Sequence, residues 1–181
     1  ADKLDRLQAR LARHGIGTAV TRAVAPEEQQ KIWKVRKAGM ALLLGMIGDR
    51  KPIAGIGDTA VAPGRLAEYL RRLDDIVRSH GAEAAYYGHA SVGCIHVRPI
   101  LDLKREPEVE TLRAIAEQVS DLVMEFGGAM SAEHGDGLAR SCWNEKLFGP
   151  TLYRAFRELK AAFDPRGVMN PGKIVDAPPM T

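Results

Sequence analysis

The sequence predicts an α+β domain in which an antiparallel sheet is covered by helices, and three observations carry that reading. Two apolar stretches, residues 82–88 and 94–100, are joined by a connection too short for a parallel crossover, so they must pair as a hairpin. Several segments repeat apolar residues at helical spacing and carry glycine or proline at their ends. Helical and strand-like segments are interspersed, an order that alone suggests a parallel α/β sheet; the hairpin argues against a purely parallel one.

Taken in order, Leu4, Leu7 and Leu11 form a short helical stripe that His14-Gly15 can close. Residues 16–23, with Val20 and Thr21, read as a strand. Pro26 followed by Glu27 and Glu28 reads as a first helical turn, because proline loses no bond there and carboxylates favour the positive helix end. That helix is expected to run to about Met46, and its apolar stretch 38–47 to be a buried helix end. After a turn at 48–52, residues 53–61 alternate as a strand. Pro63 opens a helix with Leu66, Leu70, Leu73 and Val77 on one face and Gly81 beyond its end. The hairpin follows, then a long helix from Glu106 to Phe126 that Gly127-Gly128 ends. Residues 129–133 read as a short extended piece. Gly149-Pro150 breaks the last helical region, whose second part runs through Tyr153, Phe156, Leu159 and Phe163. The tail 168–181 reads as irregular, with Ala177-Pro178-Pro179 resembling the start of a linker.

A chain of 181 residues with 45% hydrophobic content can bury a core as one domain, residues 1–181. Its 26 basic and 23 acidic residues are scattered, which gives no footprint for nucleic acid. No apolar run approaches the length of a transmembrane helix, and the first residues lack a signal-peptide pattern. Two cysteines without a CxxC pair fit a reducing compartment. The expected location is the cytoplasm, extending to a peripheral position at the inner membrane.

Chemistry concentrates in two glycine-bordered stretches, Gly88-His89-Ala90-Ser91-Val92-Gly93-Cys94-Ile95-His96 and Ser131-Ala132-Glu133-His134-Gly135-Asp136-Gly137. His89 and His96 are seven apart, which on one unbroken strand would send them to opposite faces. A turn at Ser91-Val92-Gly93 removes that objection by putting them on facing strands. Glu133 completes a His₂Glu set of the kind that leaves a metal position open, and His134 stands beside it as a base. The competing reading is two unrelated histidines and a polar turn. Gly135-Asp136-Gly137 and Gly55-Ile56-Gly57 match neither dinucleotide nor Walker loops. Arg36, beside Trp33 and Lys37, has the planar fork to clamp a carboxylate, though such an arginine is ordinarily solvated surface. Cys94 can be a soft third ligand or a small core residue.

The stretches Tyr87-Gly88-His89 to Ile95-His96-Val97-Arg98-Pro99, Ser131-Ala132-Glu133-His134-Gly135-Asp136-Gly137, and Phe163-Asp164-Pro165 to Met169-Asn170-Pro171-Gly172-Lys173-Ile174 together resemble the C-terminal domain of FAD-linked oxidases. That family includes D-lactate dehydrogenases, glycolate oxidase subunits and D-2-hydroxyglutarate dehydrogenases. The branch most similar in look fuses an N-terminal FAD domain and a C-terminal iron-sulfur domain, both expected to be absent from this chain. The resemblance implies that His89, His96 and Glu133 bind a divalent metal, zinc or manganese. It also implies that His134 is the base at the substrate hydroxyl, that Arg36 holds a substrate carboxylate, and that Asn170 lies against the flavin. Where many relatives have Asp-Gly-Asn, this chain has Val92-Gly93-Cys94, and no lysine stands near Gly57-Asp58 as in some relatives.

The expected function is the substrate- and metal-binding domain of a dehydrogenase that oxidises a D-2-hydroxy acid by hydride transfer to FAD. Its partner is the FAD-binding domain of the same parent; the electron acceptor is left unnamed. The isolated chain is expected to bind no FAD and to be inactive. The alternative is a non-catalytic regulatory or assembly module in which the same histidines staple the hairpin through metal.

Overall fold

The computed structural model describes residues 2–180, which divide into two compact units at Gly45. The first holds helix α1 (Asp2–Arg13) and helix α2 (Pro26–Leu44). Gly15 adopts the left-handed conformation that closes α1. At the start of α2, Glu28 accepts hydrogen bonds from the Val24 and Ala25 amides, satisfying donors the helix leaves free. No strand forms over 16–23, where the chain is irregular with a bend at Thr18 and Gly17 at φ +82°. The helix end expected to be buried is exposed, with Leu42 at 74% and Leu44 at 52%. No described residue of this unit is buried.

The second unit contains the sheet. Its strands are β1 (Lys51–Pro52), β2 (Thr59–Ala60), β3 (Ala84–His89) and β4 (Cys94–Leu101). β4 is central and every pairing is antiparallel: β3 lies along one edge, while β1 and β2 take opposite halves of the other. Of the strand expected over 53–61 only β2 forms, because the chain turns at Gly55-Ile56; β1 lies ahead of it, within the stretch 48–52 expected to be a turn. Helices α3 (Leu66–Ser79) and α4 (Glu106–Glu125) supply most of the core. Leu73, Val77, Ile115 and Val119 pack with Val97 and Leu101 of β4 in one buried cluster. The alternation of β4 then sends Cys94, His96 and Arg98 to the opposite face. This is an antiparallel sheet with helices packed against it, the α+β architecture read from the sequence.

After α4 come a short helix α5 (Gly137–Arg140) and α6 (Asn144–Phe163), the latter kinked at Gly149-Pro150 as expected. The tail is irregular but does not behave as a linker. Val175 is 5% exposed, Met180 packs against the core, and the Asn144 amide donates to the Ile174 carbonyl at 3.0 Å. None of the described helices is long and apolar enough to cross a membrane.

Candidate metal and catalytic site

The register of the hairpin puts its histidines together. His89 pairs with Cys94 and Tyr87 with His96, so all four side chains share one sheet face despite the odd interval between the histidines. A 3₁₀ turn at Ala90–Val92 and left-handed Gly93 make the reversal. Gly93 has no alternative: a Cβ there would sit 1.8 Å from the Val61 carbonyl oxygen.

The second wall is the turn at 131–137. Its anchor is Asp58, which is fully buried and adopts φ +83° just before β2. The Asp58 carboxylate accepts from the Ser131 hydroxyl at 2.8 Å and from the backbone amides of Glu133 at 3.0 Å and His134 at 2.8 Å. Burial opposes its ionisation, but these three donors win and hold its carboxyl below the usual range. Arg140 is also buried, and its guanidinium donates to the Gly57 carbonyl at 3.0 Å and the Gly135 carbonyl at 2.5 Å, tying the Asp58 segment to the turn.

These two walls converge on one atom. Glu133 Oε1 lies 2.9 Å from His96 Nε2, 3.4 Å from His89 Nε2 and 3.7 Å from His134 Nε2. The His96 ring is buried between Tyr87, 4.4 Å away and stacked, and His134, 5.1 Å away and stacked. Burial pushes the His96 imidazole below its ordinary pKa against the pull of Glu133, favouring the neutral form that binds metal. The side chains of His89, Glu133 and His134 are 42%, 44% and 52% exposed, so the site opens outward.

Glu133 Oε1 lies from His96 and from His89 at separations that two ligands of one divalent cation take. Ligands held at ~2.1 Å by one ion lie about 3.4 Å apart in a tetrahedral shell and about 3.0 Å in an octahedral one, the range spanned by the two histidine–glutamate separations. The donors whose ligand atoms all lie within 4.8 Å of one another are Asp58, Cys94, His96 and Glu133, a set that does not include His89. Asp58 is the poorer ligand of that set, since both of its oxygens already serve the turn. The Cys94 thiol sits 3.8 Å from Asp58 Oδ1 and 3.9 Å from His96 Nε2. Burial, then the charges of Glu133 and Asp58, push it up to about 11, which favours the neutral thiol.

Of the residues singled out from sequence, His89, His96, Glu133 and His134 are brought together. Arg36 lies in the other unit, on α2, with its guanidinium 5.8 Å from the centre of the Trp33 ring. Asn170 follows a turn whose Val168 and Met169 amides donate to the Asp164 carboxylate at 2.9 and 2.8 Å, and it adopts φ +48°. Asp58 and Arg140 escaped the sequence reading. A lone carboxylate between Ile56 and Val61 was a signal for Asp58, since a charge in an apolar run must find donors if buried. Arg140 gave none, because its contact with Gly57 spans 83 positions.

Comparison with known proteins shows the family. The family model described as FAD linked oxidases, C-terminal domain, matches residues 2–174. The chain belongs to that family. A D-2-hydroxyglutarate dehydrogenase of Haemophilus influenzae is 37% identical over 145 residues, covering 80% of this chain and 14% of the relative. One of Escherichia coli strain K12 is 37% identical over 183 residues, 98% of this chain and 18% of the relative. A D-lactate dehydrogenase of Archaeoglobus fulgidus is 34% identical, over 84% of this chain and 32% of the relative. The chain thus spans from about a seventh to a third of the length of these relatives. Among solved structures, a 4-ethylphenol oxidase from Gulosibacter chungangensis in an isoeugenol complex aligns over 97% of this chain and 37% of its own, with TM-score 0.62 at 15% identity. That likeness speaks for the fold alone.

Proposed function

We propose that this C-terminal domain of the FAD-linked oxidase family is the substrate- and metal-binding part of a dehydrogenase that oxidises a D-2-hydroxy acid. The observation that carries the reading is the convergence of three imidazoles on Glu133 Oε1 at an open face. His89, His96 and Glu133 would hold one divalent ion, zinc or manganese, whose chemistry when bound is Lewis-acid polarisation of the substrate oxygens. His134, beside that carboxylate and half-exposed, takes the proton of the substrate hydroxyl. FAD, which another domain of the parent would mainly hold, would supply the hydride acceptor that turns the hydroxy acid into a keto acid. Arg36 would clamp the substrate carboxylate, and Asn170 would be the residue that meets the flavin. The reading includes a cytoplasmic parent that would carry an iron-sulfur cluster as well.

The experiment is metal titration by calorimetry with wild type, His89→Ala, His96→Ala and Cys94→Ser, alongside turnover of a panel of D-2-hydroxy acids by the full-length protein. Loss of most affinity in both histidine variants supports the reading, and unchanged affinity in both overturns it. The proximity of Cys94 and Asp58 to His96 favours one rival, a closed structural staple. Loss of metal in Cys94→Ser with no turnover of any hydroxy acid would establish that rival.

A further inference from the structure

We propose that Asp58 is a positioning residue: it fixes the Glu133–His134 turn so that ligand and base face the same point. The inference rests on the functional reading above and deepens it. Asp58 holds the first half of the second wall, accepting from Ser131 Oγ and from the amides of Glu133 and His134. Its Oδ2 also lies 3.7 Å from His134 Nδ1, so the carboxylate faces the imidazole as well as the backbone beneath it. Successive side chains on an extended strand diverge, and Glu133 and His134 would point apart there. Here both amides are drawn to one carboxylate, and both side chains approach within 3.7 Å of each other at Oε1 and Nε2.

The conformation of Asp58 bears out a dedicated role. A left-handed φ is rare for a residue other than glycine and persists only where surroundings enforce it. At Asp58 it coincides with full burial of the carboxylate and with the Asp58 amide donating to the Ile95 carbonyl at 3.0 Å, which ties the anchor to β4 beside His96. Asp58 therefore joins the hairpin wall by its backbone to the turn wall by its side chain. Among ligands and outer partners of metal sites, loss of such a partner typically costs 10- to 100-fold in affinity or activity.

The test is Asp58→Asn in the full-length protein, a change that keeps the shape and replaces one acceptor oxygen by a donor. Amide hydrogen exchange at Glu133 and His134 should accelerate at least about tenfold while Val97 in the core keeps its protection. Zinc affinity should fall roughly 10- to 100-fold, and kcat should fall with KM little changed. In a His134→Ala background the substitution should cost kcat much less, because the two act through one group. Unchanged exchange at both amides, or kcat losses that simply add, would overturn the proposal. The wild type separates the two ideas: if it neither retains zinc nor oxidises any hydroxy acid, the functional reading fails, while the exchange measurement still decides whether Asp58 holds the turn.

Discussion

His89 and His96 stand on paired strands whose backbone bonds set where they point, whereas Glu133 and His134 stand on a turn whose amides are held by one buried side chain. A ladder is redundant, and losing one contact leaves the rest of the register in place. A single carboxylate is not. The hairpin can therefore be broken only through its backbone geometry, while the turn can be released by one polar substitution that leaves the core untouched.

The largest expected effect tests the hairpin. Gly93→Ala forces a Cβ onto the Val61 carbonyl in a left-handed residue, and Gly88→Ala forces one to 2.3 Å from the Cys94 carbonyl. Each should cost at least about 3 kcal/mol in denaturant unfolding. Gly81→Ala is the control, also left-handed but with nothing within 4 Å, and should cost nearer ~1 kcal/mol. Equal losses at all three positions would show that backbone crowding does not set the register.

The turn is expected to yield in function before it yields in stability. In the full-length enzyme His134→Ala should lower kcat by roughly 10²–10⁴-fold with metal and flavin retained, the usual worth of a general base. Loss of the metal in that variant would make His134 a ligand and move the base elsewhere. Between the two hairpin histidines, His96→Ala should reduce zinc affinity and thermal stability more than His89→Ala. His96 is 3% exposed and stacked on two rings, while His89 reaches the site from solvent. Reversal of that order in calorimetry would mean that burial does not rank the ligands.

Arg36 belongs to the other unit, and the clamp proposed for it predicts that Arg36→Lys raises KM for the hydroxy acid roughly tenfold, because an ammonium cannot copy a planar two-point contact. An unchanged KM would return it to the surface.

The smallest effect concerns a second aspartate anchor, Asp164, which holds the Val168 and Met169 amides ahead of Asn170 much as Asp58 holds Glu133 and His134. The Lys160 ammonium 2.7 Å away lowers its carboxyl to about 2 from an ordinary 3.8, against the opposing effect of burial and with help from those amides. Because the folded value is depressed, the stabilisation is complete above about pH 4 and is lost as pH falls through about 2. Exchange at the Val168 and Met169 amides should accelerate over that window, and Asp164→Asn should show the accelerated rate throughout.

The hairpin, the helices around Leu73 and Val119, the kink at Gly149-Pro150 and four residues of the site were all legible in the order of residues. Each depends on local periodicity, on the reach of a short loop or on motif resemblance. The same reasoning misread 16–23 as a strand and 38–47 as buried, because propensity and apolar content cannot say whether a partner surface exists. Tertiary structure alone decided that Asp58, 75 positions before Glu133, meets its amide, and that Arg140 closes the same turn on Gly57. Side chains so far apart in sequence carry no mutual period, and only the packing of β2 against β4 brings the anchor to the atoms it holds.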